Sequence, residues 1–225
     1  MDHSNKLISI IIPVKNGENY LAEALQGIKN QNMHVEIIVV DDGSTDNTAQ
    51  LAEKLGCIVL KHEKCLGPVI AKNNALKIAQ GDLILFHDHD DIMNPNSLAM
   101  LYNELEANPQ ISAVMAKVQD FYSPDMPEEE QKKTIIKKDP YWGLFTGAVL
   151  MRKSVFDTIG PFNENITAGE IIGWQSRMQQ FNLQIKKIDY VSTQRRIHAS
   201  NFGKTQAKKE FKDYTLLLRN KLGRK

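Results

Sequence analysis

Four short apolar runs in the first half of the chain alternate with segments that have helical spacing. The runs cover residues 7–12, 35–40, 57–60 and 82–86, and the helical segments lie near 19–30, 46–55 and 68–79. Strands that alternate with helices predict a parallel sheet with helices on both faces. Gly56 and Gly81 follow two of the helical segments, where a helix commonly ends in a left-handed residue. The predicted fold class is therefore α/β, with a mostly parallel central sheet flanked by helices.

After the fourth run the pattern continues and is then interrupted. Helices are predicted near 95–107, 152–158, 170–181 and 204–225, strands near 111–117 and 184–188, and an apolar segment at 145–151. Residues 121–140 carry prolines and a run of charged residues, which predicts an exposed loop with room for one helical turn. A loop of this length is usually a mobile lid over a site or is disordered.

Composition excludes several classes of protein. A chain of 225 residues fits one domain with a substantial core, and a net charge of +1 provides no global field to attract nucleic acid. Cys57 and Cys65 do not make a disulfide framework and are expected to be reduced thiols in a cytosolic protein. The first residues lack the apolar segment of a signal peptide, and no apolar run approaches the length that spans a bilayer. A cytoplasmic location is expected.

Three carboxylates, Asp88, Asp90 and Asp91, follow the buried run 82–86. In open α/β sheets, ligands bind at the carboxyl ends of the strands. Crowded carboxylates repel one another unless a cation lies among them, and hard oxygen ligands suit Mg²⁺ or Mn²⁺. The cluster therefore predicts a divalent metal site that also holds a phosphate. The alternative is a solvated acidic turn in front of the next helix.

A second pair of acids, Asp41 and Asp42, ends the run 35–40. An acid at such a strand end can accept a hydrogen bond from a ribose hydroxyl or a base N–H. Gly43 directly after the pair predicts a turn, and the polar residues behind it can cap the next helix. Both interpretations can hold together, because the glycine makes the turn while the acids face a ligand.

Together these motifs resemble those of glycosyltransferase family 2. They are the apolar run that leads into Pro-Val-Lys-Asn at 13–16, Asp-Asp-Gly-Ser-Thr-Asp at 41–46 and Asp-His-Asp-Asp at 88–91. The resemblance covers about residues 6–200 and is specific in the order and spacing of its motifs. It implies the GT-A fold and an inverting, metal-dependent sugar transferase formed by a single domain. Residues 6–118 would bind the nucleotide sugar, and residues 140–200 would form the acceptor and catalytic half.

The resemblance places the nucleoside at the ends of the first two strands. Pro13, Val14 and Asn16 would pack on the base and ribose, with a plain strand-end turn as the alternative for Pro13. Asp42 resembles the acid that contacts the base, and Asp41 lies beside it.

Other residues are implied to hold the diphosphate and the donor sugar. Asp90 resembles the direct metal ligand, Asp88 faces the ribose or the metal, and His198 in Arg-Ile-His is a further candidate ligand. Lys72 stands where the family usually has an arginine that neutralises phosphate. Gly147 lies in a stretch that resembles the lining of the donor sugar. The alternative for His198 is a packed or surface histidine.

His87 and His89 alternate with the aspartates. On a continuing strand they would face the side opposite to Asp88 and Asp90, because successive side chains alternate. Packing or hydrogen bonding is therefore expected for both histidines, with metal ligation as the alternative.

The segment that supplies the catalytic base in the family usually carries Glu-Asp, and this chain has Glu170 followed by Ile171. The resemblance therefore implies Glu170 as the base for the acceptor hydroxyl. The alternative is that Glu170 only stabilises the first turn of a helix. Trp174, Trp142 and Tyr141 are candidate sugar platforms, with core packing expected for Trp174.

The implied function is transfer of a sugar from a nucleotide-diphosphate sugar, with a UDP-sugar as the expected donor, to a hydroxyl of a saccharide or lipid-linked acceptor in polysaccharide biosynthesis. Mn²⁺ or Mg²⁺ is the implied cofactor. Ile171 leaves open a catalytically weak nucleotide-sugar-binding module, and the cluster at 87–91 leaves open a metal-dependent phosphohydrolase. The basic, amphipathic segment 204–225 either packs on the domain or contacts the inner face of an anionic membrane.

Overall fold

The computed structural model describes residues 6–143, 146–166, 169–199 and 201. Up to residue 112 the elements are β1 (Ile8–Val14), α1 (Leu21–Lys29), β2 (Val35–Asp41), α2 (Thr48–Lys54), β3 (Ile58–Lys61), α3 (Pro68–Ile78), β4 (Leu83–Phe86), β5 (Ile92–Met93) and α4 (Ser97–Ala107). From residue 113 they are β6 (Ala113–Tyr122), α5 (Glu128–Lys133), a 3-10 turn (Thr146–Ala148), β7 (Val149–Arg152), α6 (Ser154–Ile159), α7 (Glu170–Gln180) and β8 (Ile185–Ile197). No helix of the described ranges is long and apolar enough to cross a bilayer.

The strands form one sheet in the order β3-β2-β1-β4-β7-β6-β8-β5. Strands β3, β2, β1 and β4 are parallel, β7 is antiparallel to both β4 and β6, and β8 is parallel to β6. Strands β1, β2, β4, β6 and β8 therefore point the same way, and their carboxyl ends meet at one edge. This arrangement confirms the predicted α/β fold class.

Both faces of the sheet are covered by helices, because alternate residues of the inner strands are apolar on both sides. Along β1, Ile10 and Ile12 face a core formed with α1 and α4, while Ile11 faces a second core formed with α3, α6 and α7. Trp174 is completely buried in the second core, so the packing role expected for it is confirmed.

The predicted strands and helices of the first half are present, with small differences at their ends. Gly56 has the expected left-handed backbone, with a φ of +74°. The same prediction for Gly81 is wrong, because α3 ends at Ile78, Ala79 follows with a φ of −59° and a ψ of 129°, and Gly81 is not left-handed. Gly81 instead lies against β1, where an added Cβ would come within 2.6 Å of the backbone nitrogen of Ser9. Close approach of two backbones explains this glycine.

Two strands are longer than predicted. Strand β6 continues to Tyr122 and β8 to Ile197, and their register is continuous from Val118↔Thr193 to Tyr122↔Ile197. The backbone N–H and C=O groups of each strand bond to those of the other. This pairing keeps the polar ends of β6 and β8 extended, although their local propensity for strand is low.

The loop predicted at 121–140 contains the expected helical turn as α5, which has no buried residue. Tyr122 at the end of β6 donates its hydroxyl to the carbonyl oxygens of Gln131 and Thr134, at 3.2 and 2.5 Å. These bonds attach α5 to the sheet. The helix predicted at 204–225 and the first residue of the apolar segment predicted at 145–151 lie outside the described residues.

Candidate active site

The acidic cluster leads into a turn, because β4 ends at Phe86 and residues 89 and 90 form the turn. The alternation argument needs a strand that continues through Asp90, so its premise is wrong. His87 is nevertheless completely buried, as a packing role requires, and burial lowers its pKa. His89 lies against Gly17, where an added Cβ would come within 2.7 Å of the imidazole.

Asp90 and His198 meet at the carboxyl edge of the sheet. His198 Nε2 lies 2.8 Å from Asp90 Oδ2, and the side-chain amide of Asn201 donates to the same oxygen at 3.2 Å. Long β8 brings His198 to this point from the far end of the sequence. Two of the three predicted metal ligands are therefore in direct contact.

Arg196 holds the acidic turn in place. Its Nε donates to the carbonyl oxygen of Asp90 at 2.8 Å, and its backbone N–H donates to Asp91 Oδ1 at 2.9 Å. The guanidinium lies between the rings of Tyr20 and Phe121, 5.0 and 4.8 Å from their centroids, and is almost completely buried. Arg196 thus holds the backbone and one carboxylate of the turn in a single position.

The pKa values of Asp90 and Asp91 are shifted in opposite directions. Burial alone would raise the pKa of Asp90, but the hydrogen bond from His198 and the nearby charge of His89 hold it below its ordinary value. Burial, together with the charges of Asp90 and Asp88, raises the pKa of Asp91 well above its ordinary value. Asp90 therefore ionises more readily than Asp91, whose carboxylate is buried and accepts the backbone N–H of Arg196.

The donor set at Asp90 and His198 fits a cation that is shared with a substrate. The described ranges contain no group of three or more His, Cys, Asp or Glu side chains that could hold a metal ion by themselves. One carboxylate and one imidazole suit Mg²⁺ or Mn²⁺ when phosphate oxygens and water complete the coordination. Asp88 is half-buried beside them and remains a predicted third ligand or ribose contact.

The loops after β1 and β2 are joined to each other. The backbone N–H of Asn16 donates to Ser44 Oγ, and the backbone N–H of Thr45 donates to Asn16 Oδ1, both at 2.9 Å. Asn16 has a left-handed φ of 52°, and Pro13 and Val14 are buried at the end of β1. The residues predicted to pack on the nucleoside therefore lie together, and their contact with a nucleotide stays a prediction.

Asp42 is bonded to the loop between β3 and α3. Its carboxylate accepts the backbone N–H groups of Leu66 and Gly67, each at 2.8 Å, and contacts His62 Nδ1 at 2.7 Å and Cys65 Sγ at 3.2 Å. Burial opposes ionisation, but the hydrogen bonds from His62 and this backbone lower the pKa of Asp42. The carboxylate shapes the loop before α3.

Asp41 has a smaller network, in which Oδ1 accepts the backbone N–H of Ser44 at 3.1 Å. It is buried at the end of β2, next to Asp42. The turn through Gly43, which has a φ of +73°, is confirmed. That the two acids face a ligand stays a prediction, and the structure shows Asp42 bonded to the loop before α3.

Lys72 and Glu170 form a buried ion pair on the other side of this edge. Lys72 Nζ contacts Glu170 Oε1 and donates to Thr146 Oγ1 at 3.0 Å, and the two charged side chains are 6% and 11% exposed. Burial alone would lower the pKa of Lys72, but the charges of Glu170 and Asp88 raise it. Glu170, the predicted base, and Asp88, an acid of the predicted nucleotide site, therefore both favour the charged form of Lys72.

Gly147, in the predicted sugar lining, and the candidate sugar platforms Tyr141 and Trp142 lie in different parts of the structure. Gly147 is buried in the 3-10 turn, next to the Lys72 contact Thr146, and its carbonyl oxygen accepts the Thr193 hydroxyl at 3.0 Å. Trp142 is 41% exposed and Tyr141 is half-buried, away from the second core. Both remain candidate sugar platforms.

The family model of glycosyl transferase family 2 matches residues 9–160, which is more than half of the chain. The chain belongs to this family. The resemblance inferred from the motifs is therefore confirmed.

Similar proteins carry glycosyltransferase names. This family 2 chain is 35% identical to glycosyltransferase GlyG of Streptococcus pneumoniae over 108 residues, which are 45% of this chain and 36% of that protein. It is 33% identical to the poly(ribitol-phosphate) beta-glucosyltransferase of Bacillus spizizenii over 136 residues, which are 56% of this chain and 21% of that protein. The chain thus spans well under half of either relative.

The crystal structure of S. aureus TarS 1-349 in complex with UDP has the same fold. Its TM-score is 0.66 at 25% sequence identity, with 84% of this chain and 60% of that chain covered. The crystal structure of S. aureus TarS 1-349 gives a TM-score of 0.65 at the same identity and coverage.

Several residues of this family 2 site were not found from the sequence. Arg196, Thr146 and His62 each contact a predicted site residue. Arg196 had a local signal, because it stands in the Arg-Ile-His motif that contains His198. Thr146 also had one, because it stands next to Gly147 in the stretch that resembles the lining of the donor sugar. His62 had none, because its partner Asp42 comes from another element.

Replacing Lys72 by methionine is expected to lower the free energy of unfolding by about 3–5 kcal/mol, because it leaves the carboxylate of Glu170 buried without its cation. Urea unfolding measures the change. Lys132→Met is the matched control, because Lys132 is 65% exposed and its ion pairs are 3.8 Å long, so a loss below about 1 kcal/mol is expected. Equal losses in the two variants would contradict the role of the buried pair.

The contribution of this pair also has a pH signature. Because the pKa of Lys72 is raised in the folded state, the stabilisation is complete below the ordinary lysine value of 10.5 and falls as the pH rises through the raised value.

Asp42→Ala is expected to weaken binding of a nucleoside diphosphate at the predicted site by about 1–3 kcal/mol, the usual effect of losing hydrogen bonds to a charged group. Leu66 and Gly67 lose the acceptor that orders their loop at the predicted nucleoside site. Calorimetric titration with UDP measures the affinity. Asp82→Ala is the control, because Asp82 is exposed at the opposite edge of the sheet. Unchanged UDP affinity in the Asp42 variant would remove this acid from the nucleotide site.

Proposed function

We propose that this family 2 chain transfers a sugar from a UDP-sugar to an acceptor hydroxyl, with inversion at the anomeric carbon. The proposal rests on the observation that two charged pairs lie at the same edge of the sheet. Asp90 with His198 offers ligands for a diphosphate-bound cation, and Lys72 with Glu170 offers a cation and a base. The complex of the similar protein TarS with UDP supports a uridine nucleotide as donor.

The nucleotide half of the reaction rests on the loops after β1 and β2. The joined loops at Asn16 and Thr45 and the loop ordered by Asp42 give the nucleoside a preformed cleft. As the bond between the anomeric carbon and the diphosphate oxygen breaks, negative charge collects on the leaving UDP. A divalent cation held by Asp90 and His198 would stabilise that charge.

The acceptor half rests on Glu170. Lys72 holds its Oε1, while Oε2 receives no hydrogen bond from the described part of the chain. In the proposed step Oε2 takes the proton of the acceptor hydroxyl as the hydroxyl oxygen forms its bond to the anomeric carbon. Attack from the side opposite to the leaving UDP inverts that carbon. Lys72 acts as a positioning residue, because it fixes the orientation of the base.

A catalytically weak nucleotide-sugar-binding module is the second candidate, and Ile171 favours it. This residue is 2% exposed and packs in the second core, so it offers no polar atom where the family usually has an aspartate. A phosphohydrolase is less well supported, because the described ranges hold no cluster of three or more metal-ligating side chains.

The proposal is tested with purified protein, Mn²⁺ and a panel of nucleotide sugars. A rise in melting temperature identifies the donor, because a ligand that binds the folded state raises apparent stability. Release of UDP is then followed with saccharide acceptors and without them. Acceptor-dependent UDP release is expected. Donor binding without release under any acceptor condition would favour the binding module, and no binding of any nucleotide sugar would contradict both candidates.

A further inference from the structure

A pocket of about 570 Å³ opens beside the carboxyl ends of β6 and β8. Its wall includes Asp120, Lys137, Tyr141, Trp142 and Arg195. None of these except the two aromatic residues has a role in the site described above. A pocket of this size accommodates a small organic ligand such as one or two sugar units.

The single carboxylate in the pocket wall is already used by protein donors. Asp120 is 7% exposed, accepts the Tyr141 hydroxyl at 2.8 Å and the backbone N–H of Lys137 at 3.3 Å, and lies 3.6 Å from Arg195 Nη1. Burial and Asp120 raise the pKa of Tyr141 to about 12, so its hydroxyl stays protonated. Asp120 therefore supports the wall and leaves little negative charge to face a ligand.

Positive charge surrounds the two aromatic rings. The ammonium of Lys137 lies 3.8 Å from the centroid of Tyr141, and those of Lys117 and Lys187 lie 4.5 and 5.8 Å from the centroid of Trp142. Lys137 and Lys187 are exposed and form no ion pair with another described residue. Lys117 is paired with Asp189 at 2.5 Å and Arg195 with Asp120, so Lys137 and Lys187 supply the cations available to a ligand. Apolar ring surface beside such cations is the chemistry that recognises a sugar carrying a negative charge.

The pocket opens on the same face of the sheet as the proposed base. Thr193 and Arg195 are two residues apart on a regular part of β8, so their side chains share a face. Thr193 donates its hydroxyl to Gly147, and the neighbouring Thr146 contacts Lys72, the partner of Glu170. The 3-10 turn therefore links the pocket to the pair that would activate an acceptor.

We propose that this pocket binds an anionic saccharide and forms part of the acceptor site. Tyr141 and Trp142 pack on the sugar, while Lys137 in the wall and Lys187 beside Trp142 meet its phosphate or carboxylate group. The assignment of the pocket to the acceptor site rests on the proposed function. The class of ligand, an anionic saccharide, rests on the pocket itself. It makes negative charge on the acceptor a determinant of specificity.

The test uses the intrinsic fluorescence of the full chain at low ionic strength. Trp142 is 41% exposed and Trp174 is completely buried, so a ligand in the pocket changes the emission of Trp142. The probes are glucose 6-phosphate, glucuronate and neutral glucose. Saturable changes are expected with a charged probe and not with glucose, and they disappear in Trp142→Phe. Comparison of the two charged probes shows whether phosphate or carboxylate is preferred.

Charge-removing variants then locate the ligand. The double variant Lys137→Gln, Lys187→Gln is expected to bind the charged probe about tenfold more weakly. The matched control is Lys132→Gln, Lys133→Gln, which removes the same charge from exposed α5 outside the pocket and leaves the affinity unchanged. Equal responses to glucose and glucose 6-phosphate, or equal affinities in the two double variants, would overturn the proposal.

UDP titration of the same samples separates this proposal from the proposed function. UDP binding without probe binding contradicts the pocket alone. Probe binding without UDP binding contradicts the donor assignment and leaves the pocket as a binding site for anionic saccharides.

Discussion

Glu170→Gln is expected to reduce the turnover number of sugar transfer by about 10²–10⁴-fold, the usual contribution of a general base. The amide keeps the size of the side chain and can still accept a bond from Lys72, but it cannot take the acceptor proton. Donor affinity is expected to stay unchanged, because Glu170 faces the acceptor half of the proposed site. Steady-state kinetics and UDP-sugar titration measure the two quantities separately.

Two controls make this result interpretable. Glu53→Gln removes an acid of the same type from an exposed ion pair on α2 and is expected to leave turnover unchanged. The melting temperature of Glu170→Gln shows whether a lower rate reflects loss of folded protein, since Lys72 loses its counter-charge. A folded Glu170 variant that keeps full turnover would place the base elsewhere.

In Asp90→Asn the gain in UDP affinity that Mn²⁺ provides is expected to disappear. The substituted amide keeps the size of the side chain and can still bond His198, so the variant removes the charge while preserving the local contacts. A neutral amide is a poor ligand for a hard divalent cation compared with a carboxylate. Calorimetric titration with UDP, with and without Mn²⁺, measures the difference directly.

The matched control is Asp157→Asn, which changes an exposed acid on α6 and should retain the full Mn²⁺ effect. A second comparison, His198→Ala, should reduce the Mn²⁺ effect if the imidazole shares the cation. If Asp90→Asn binds UDP in the presence of Mn²⁺ as tightly as the unchanged chain does, Asp90 is not a metal ligand.

The motifs predicted the family and the sheet edge because both depend on local patterns. An apolar run followed by Asp41 and Asp42, and another followed by Asp88 and Asp90, place acids at the ends of strands whatever the rest of the fold does. The alternation argument failed because a strand's end is set by its pairing partners: β4 pairs with β1 only up to Phe86 and with β7 only up to Leu85. For the same reason β8 continued far beyond the predicted strand, carried by its register with β6.

The sequence by itself determined the fold class, the family and the acids at the edge, because hydrophobic periodicity and short motifs are properties of neighbouring residues. Only the tertiary structure decided which charges meet. Lys72 and Glu170 are 98 positions apart, and Asp90 and His198 are 108 apart. A buried charge needs a partner, but composition and spacing do not say which one, since that depends on how strands pair and helices pack. The same packing turned Asp42 toward the loop before α3 and directed Ile171 into the core.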